Sequence, residues 1–219
     1  MMVAATVEIA LRNSVSENLG HYFGAPNWLT QPPVSFQWRE PERKKVIQAV
    51  DAARRAEYSK LNQAQKGALD ALAYPKGRPP GVSHLKRAQD RRRRIHVTEG
   101  KVIAELTFYF WKRLYGPEYE HTLWRTTLKK TFPDKKVSRA EVARNLEMVY
   151  QSRNRLAHHE TVLHGRFADT MKSISFVIQR LGQDSVNASS PLSKMLEDDM
   201  RRVQMSADAL HARFESFRI

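Results

Sequence analysis

Apolar residues in this chain recur at steps of three and four along most of its length, and runs that alternate apolar with polar are nearly absent. A step near 3.6 lines up one face of a helix, whereas a half-buried strand needs a step of two. The pattern therefore restricts the fold to an all-α bundle of six or seven helices. Val3, Val7, Leu11, Val15 and Leu19 predict a first helix that Gly20, Gly24 and Pro26 end. Pro41, flanked by Glu40 and Glu42, opens a second helix that carries Val46, Val50, Leu61 and Leu69, with a break expected midway. Between them lies a proline-rich loop pinned by Trp28 and Trp38.

PKGRPPG, residues 75–81, is the clearest loop, and LKRAQDRRRR, residues 85–94, follows it. Together they read as a basic loop or insertion around 75–97 within a single domain, 1–219. Thr98 is placed to cap a third helix through Val102, Leu106, Phe110 and Leu114. Tyr119, Leu123, Trp124 and Leu128 predict a short helix halted at Pro133. Ser138, with Glu141 three residues on, starts the helix through Val142, Leu146 and Val149 to Leu156. Two more helices follow, one through Phe167, Ile174 and Val177, and a last one opened by Ser190-Pro191.

The charge is strongly one-sided. Lys and Arg number 37 against 23 Asp and Glu, a net charge of +14. Such a surplus favours a polyanionic partner, since cations on the surface displace counterions condensed on phosphates. The chain has no cysteine, which excludes disulfides, thiol nucleophiles and thiolate metal sites and fits a reducing compartment. Its start carries no cationic segment ahead of an apolar run, and no stretch of about 18 apolar residues exists. The expectation is a cytoplasmic protein that does not enter the membrane. No Gly-rich phosphate loop or dinucleotide fingerprint is present, so no cofactor is expected.

The chemistry concentrates in QSRNRLAHHETVLH, residues 151–164. A zincin needs two His four apart on one helical face, but His159-Glu160 is followed by His164, one position too far. Five residues turn a helix by about 140°, so these imidazoles would point apart. No metal site is expected. Acid–base chemistry fits better. Histidine gives and takes protons near neutral pH, and arginine offers a planar fork to phosphate oxygens. Together they suit RNA cleavage by its own 2′-hydroxyl. Arg153 and His158 are also five apart, which requires the helix to end or bend near residues 156–158, or a second subunit to complete the site. Asn154 shares a face with His158, and Arg155 with His159. The alternative is a solvated charged face. Arg91, Arg92, Arg93 and Arg94 suit a phosphate backbone, or form a solvated surface run. Phe108, Tyr109, Phe110 and Trp111 read mostly as core, and Met195, Met200 and Met205 as core or partner contact.

RNRLAHH resembles the R-x4-6-H signature of HEPN-domain ribonucleases, with Arg153, the polar Asn154 and then His158. More narrowly, the chain is similar to the Abi-like, abortive-infection branch of that group. VEIALRN at residues 7–13 followed by YFG and Trp28, IAELTFYFWKRLYG at residues 103–116, and RNRLAHHE at residues 153–160 resemble its segments in order. The resemblance implies a helical bundle, often a homodimer whose Arg and His pairs share a cleft, and a metal-independent endoribonuclease serving as a toxin or in phage defence. It implies that Arg153 binds the scissile phosphate, His158 is the acid–base, and Asn154 orients the His or the substrate. His159 would be catalytic or structural. Glu8, Arg12 and Asn13 would lie near the same cleft, with Arg12, Asn13 and Arg155 as further substrate contacts. The implied partner is RNA, tRNA included, with an antitoxin or regulatory protein possible. Two other readings stay open: a non-catalytic RNA-binding or regulatory HEPN module, and a helical scaffold or antitoxin-like partner.

Overall fold

In the computed structural model, which describes residues 2–217, the chain is all-α, with no strand among the described residues. Among the described residues there are nine α-helices: α1 (Met2–Phe23), α2 (Glu40–Ser59), α3 (Gln63–Ala73), α4 (His84–Arg93), α5 (Glu99–Glu105), α6 (Phe108–Arg113), α7 (Arg139–Ala157), α8 (His164–Arg180) and α9 (Pro191–Ser216). The number exceeds the six or seven expected, for three local reasons. The anticipated break in the second helix is complete, because Asn62 caps a new one. Its side chain accepts the Gln65 N–H at 2.9 Å, and the Gln65 side chain accepts the Asn62 N–H at 2.9 Å, a full capping box. The segment read as a basic loop contains α4, started by Ser83 Oγ accepting from the Lys86 N–H at 3.2 Å. The expected helix over 98–114 is interrupted, since Leu106 is extended. Leu106 and Phe108 are both buried, and on an unbroken helix they would lie about 200° apart.

No helix among the described residues is long and apolar enough to cross a membrane. The chain forms two compact units, one of the N-terminal stretch up to Tyr22 with Trp111 onward, the other Phe23–Phe110.

In the first unit, Val7, Leu11, Val15 and Leu19 form a fully buried stripe along α1. Trp111, Leu114 and Tyr115 are buried with it. The segment expected as a short helix around 119–128 is a series of 3-10 and π turns: Pro117–Tyr119, Glu120–Trp124 and Leu128–Thr131. Side chains hold it in place. Thr127 Oγ1 donates to Asn18 O at 3.1 Å, and Lys129 Nζ donates to Asp134 O and Val137 O, both at 2.6 Å. Arg139, at the start of α7, donates to Glu120 and to Tyr115 O at 2.6 Å. The α7 N-terminus is capped as expected, with Ser138 Oγ accepting from the Glu141 N–H at 3.2 Å. α7 and α8 are joined by a buried hydroxyl pair, Ser152 to Thr170 at 2.6 Å.

In the second unit, Trp28 and Trp38 are buried, and Trp38 Nε1 donates to Leu29 O at 2.9 Å. Beside them, Glu99 Oε1 accepts the Leu29 N–H at 3.3 Å, while Oε2 is buried with no hydrogen-bond partner among the described residues. Burial pushes this carboxyl from its usual 4.5 up to about 7. A raised folded-state pKa stabilises the fold fully below the unfolded value and loses that contribution as pH rises. Stability of this unit therefore falls between about pH 4.5 and pH 7. Glu99→Gln keeps the acceptor without the charge and is expected to add about 1–2 kcal/mol at pH 8 and nothing at pH 4. Urea melts of both proteins at the two pH values test this, and parallel pH profiles would rule it out.

Candidate functional site

The histidine-rich stretch sits where α7 stops. The helix ends at Ala157, and His158 is its C-cap. The Glu160 N–H reaches back to Arg155 O at 2.8 Å, and the His159 N–H to Leu156 O at 3.3 Å. This pairing is a Schellman motif, whose penultimate residue must take the left-handed conformation that glycine prefers. Here His159 takes it, with φ 57°. A residue with a Cβ in that region costs about 1 kcal/mol or more. Of the two possibilities the five-residue spacing allowed within one chain, the helix ends rather than bends. His158 and His159 are both exposed at that end. His164 also has positive φ, 54°, and starts α8 after a non-helical connection, so His159 and His164 do not share a helix.

Arg153 lies just over one turn before the end of α7, half-buried. Its Nη2 is 3.7 Å from Glu8 Oε2 of α1, and its Nη1 donates to Asn154 Oδ1 at 3.2 Å. Glu8 thus meets Arg153 of the motif. Arg12 lies one turn further along α1 and its Nε donates to Asn13 Oδ1 at 3.5 Å. Among the described residues, neither Arg12 nor Asn13 hydrogen-bonds the α7 motif, but Arg12 shares the helical face of Glu8. Arg155 turns to the connection instead, with Nε 3.7 Å from Glu160 Oε2. Among the described residues, no three His, Asp or Glu side chains gather as metal ligands.

The strained position gives a direct test of what His159 does. His159→Gly relieves the left-handed backbone and is expected to stabilise the unit by about 0.5–1 kcal/mol, while His159→Ala leaves stability near wild type. Denaturant melts read the first effect, and equal stability of all three proteins would contradict it.

The four consecutive arginines belong to the other unit, and they are not equivalent. Arg91 points inward, with its side chain 11% exposed, and pairs with Asp70 of α3. Its Nε donates to Asp70 Oδ1 at 2.7 Å and its Nη1 to the Tyr58 hydroxyl at 3.2 Å. Arg87 Nε reaches both oxygens of the same carboxylate at 3.0 Å. Arg92 is half-buried. Arg93 is exposed, 3.6 Å from Asp90, and Arg94 is exposed at the C-cap of α4. Only the last two present their charge outward. The sequence reading missed Asp70, although its spacing from Arg87 and Arg91 across a Pro/Gly loop was the available signal.

The aromatic run is mostly core as expected: Phe108, Phe110 and Trp111 are buried, and Tyr109 is half-buried. Met195 and Met205, read as core or partner contact, are 60% and 65% exposed. The protein-family models, curated proteins and solved structures compared with this chain do not match it.

Proposed function

We propose that this chain is a metal-independent endoribonuclease of HEPN type, acting as a toxin or abortive-infection effector. One observation carries the reading. The R-x4-H motif straddles a helix end, so that its His is an exposed cap while its Arg is held from α1 by Glu8. The resemblance of three ordered segments and the +14 charge support it. In this reading, the 2′-hydroxyl of the substrate loses its proton to an imidazole and attacks the adjacent phosphate. Arg153 stabilises charge building on the phosphate oxygens, and the 5′ oxygen leaves as it gains a proton. The products are a 2′,3′-cyclic phosphate and a 5′-hydroxyl. His158 is the acid–base, Asn154 and His159 flank it, and Arg12, Asn13 and Arg155 extend the substrate surface. Arg94, and Arg93 beside its ion pair with Asp90, are the exposed members of the basic run offered to RNA.

The test is a gel of mixed RNAs, tRNA included, incubated in excess EDTA with wild type and His158→Ala. The expected result is cleavage by wild type alone, with cyclic-phosphate ends. Intact RNA with folded wild type would overturn the nuclease reading. If both proteins then bound RNA in a salt-sensitive way, the non-catalytic RNA-binding module would replace it.

A further inference from the structure

A groove of about 740 Å³ in the first unit is lined by α7, α8 and α9. Three cations reach it: Arg144 from α7, and Lys172 and Arg180 from α8. Among the described residues none of the three forms an ion pair. Other cations of this unit are matched. Lys112 meets Glu147, Arg113 meets Glu118, and Arg125 and Arg139 share Glu120. The carboxylate that lines the groove is Glu141, in the first turn of α7, where the helix dipole already draws its charge. The groove therefore carries a surplus of positive charge. Arg180 is also fixed in place, its guanidinium 4.6 Å from the centroid of the Phe176 ring beside it. Asn145, Ser175 and Gln179 add amide and hydroxyl groups between the cations.

Unmatched Arg and Lys with neutral donors between them suit a chain of phosphates, whose condensed counterions they displace. The direction of the groove says which chain. Ala168, Lys172, Ser175 and Gln179 follow at steps of four, three and four, so one face of α8 forms its length. A further step of four back from Ala168 is His164, the first residue of α8, where the connection carrying His158 and His159 ends. On α7, Arg155 lies about three turns after Arg144 and on the same face. The cations thus spread along a line that leads to the candidate site. At about 1.5 Å per residue, Lys172 lies about 12 Å along α8 from His164, and Arg180 about 12 Å beyond it. A stacked strand carries one phosphate per about 3.4 Å, so the whole run matches about seven nucleotides. One line of cations serves one strand, whereas a duplex is held across its groove by two rows of phosphates.

We propose that this groove holds the phosphate backbone of a single RNA strand to one side of the cut, with Arg144, Lys172 and Arg180 as its contacts. The identity of the strand rests on the nuclease reading. Phosphate contacts carry no base preference, so the substrate class is single-stranded RNA of any sequence over about seven nucleotides beside the scissile bond. Fluorescence anisotropy tests it, with a labelled twelve-nucleotide oligouridylate, a four-nucleotide one and a twelve-base-pair RNA duplex. Every protein in this assay carries His158→Ala, so that no RNA is cut. The long strand is expected to bind more tightly than the short one and than the duplex. The slope of its log affinity against log salt should shrink by about 0.7 for each of Arg144→Ala, Lys172→Ala and Arg180→Ala. Replacing all three should remove about 2 from the slope and weaken binding by about tenfold or more near 0.1 M salt. Arg144 and Lys172 are exposed, so their double variant keeps the fold and the Arg180–Phe176 contact, and it should remove about 1.4. Arg201→Ala removes a cation already paired with Asp198 and should leave the slope unchanged. An unchanged slope in the double and triple variants would overturn the proposal, and a duplex bound as tightly as the long strand would overturn the single-strand class. Cleavage assayed with His158 restored keeps the two readings apart. Cleavage with an unchanged slope removes the groove alone. Intact RNA with a slope that still falls in the groove variants removes the nuclease alone and leaves the groove as an RNA-binding surface.

Discussion

His158→Ala is expected to slow RNA cleavage by about 10²–10⁴-fold at neutral pH, the range that a single general acid or base contributes. Arg153→Ala is expected to cost about 10²–10³-fold, the range for one positioned charge donor to a developing oxyanion. Both effects should lie in the rate constant at saturating RNA. Folding should be little affected by the histidine change, because His158 is an exposed cap whose backbone, not its ring, completes the helix end. Glu8→Gln provides the internal comparison. Glu8 faces Arg153 at 3.7 Å and acts through it, so its loss should reduce cleavage less than loss of Arg153 itself. Arg153→Lys keeps the charge but not the fork, and it should rescue binding more than rate. If all four variants cleaved like wild type, the α7 end would not be the active site.

Asp70→Ala is expected to destabilise the 23–110 unit by about 2–3 kcal/mol. Exposed ion pairs contribute at most about 1 kcal/mol, and breaking a fully buried pair costs about 3–5 kcal/mol. The Asp70 cluster lies between, with side chains of Asp70, Arg87 and Arg91 at 21%, 27% and 11% exposure. Removing the carboxylate leaves two guanidinium groups side by side, and Arg91 keeps only the Tyr58 hydroxyl. Hydrogen bonds from Arg87 and then Arg91 hold the Asp70 carboxyl far below its usual value of 3.8. A depressed folded-state pKa stabilises above the unfolded value and loses that contribution as pH falls through the folded one. Acid should therefore weaken this unit below about pH 4 in wild type, and that part of the loss should vanish in Asp70→Asn. Hydrogen exchange in α3 and α4 over that range measures it. Arg91→Ala should share the stability loss, whereas Arg93→Ala and Arg94→Ala should leave stability unchanged and lower the salt dependence of RNA binding.

The helix starts were legible because their chemistry is local. Pro41, Ser138 and Ser190 all mark real starts, since a cap or a first-turn proline acts within one turn of its own position. Of the two interior breaks, the midway break of the second helix was expected and the Asn62 capping box gives its place, whereas the extended Leu106, which comes from burying two residues on opposite sides of one helix, was not legible. The stretch 75–97 looked like a loop because six bases among residues 85–94 lack an apolar stripe. α4 does without one, because Arg87 and Arg91 pair inward along one face.

By itself the sequence determined that this protein is all-helical, where most of its helices begin, and which short stretch gathers Arg and His chemistry. Periodicity and caps act over a few residues, so a linear string contains them. The tertiary structure decided the rest. It set Glu8 against Arg153, turned Arg91 toward Asp70, ended α7 on a left-handed His159, and left the second half of α9 uncovered. Each of these depends on burial bringing together groups distant in the chain, or on where a neighbouring helix stops, and neither is a property of any local window.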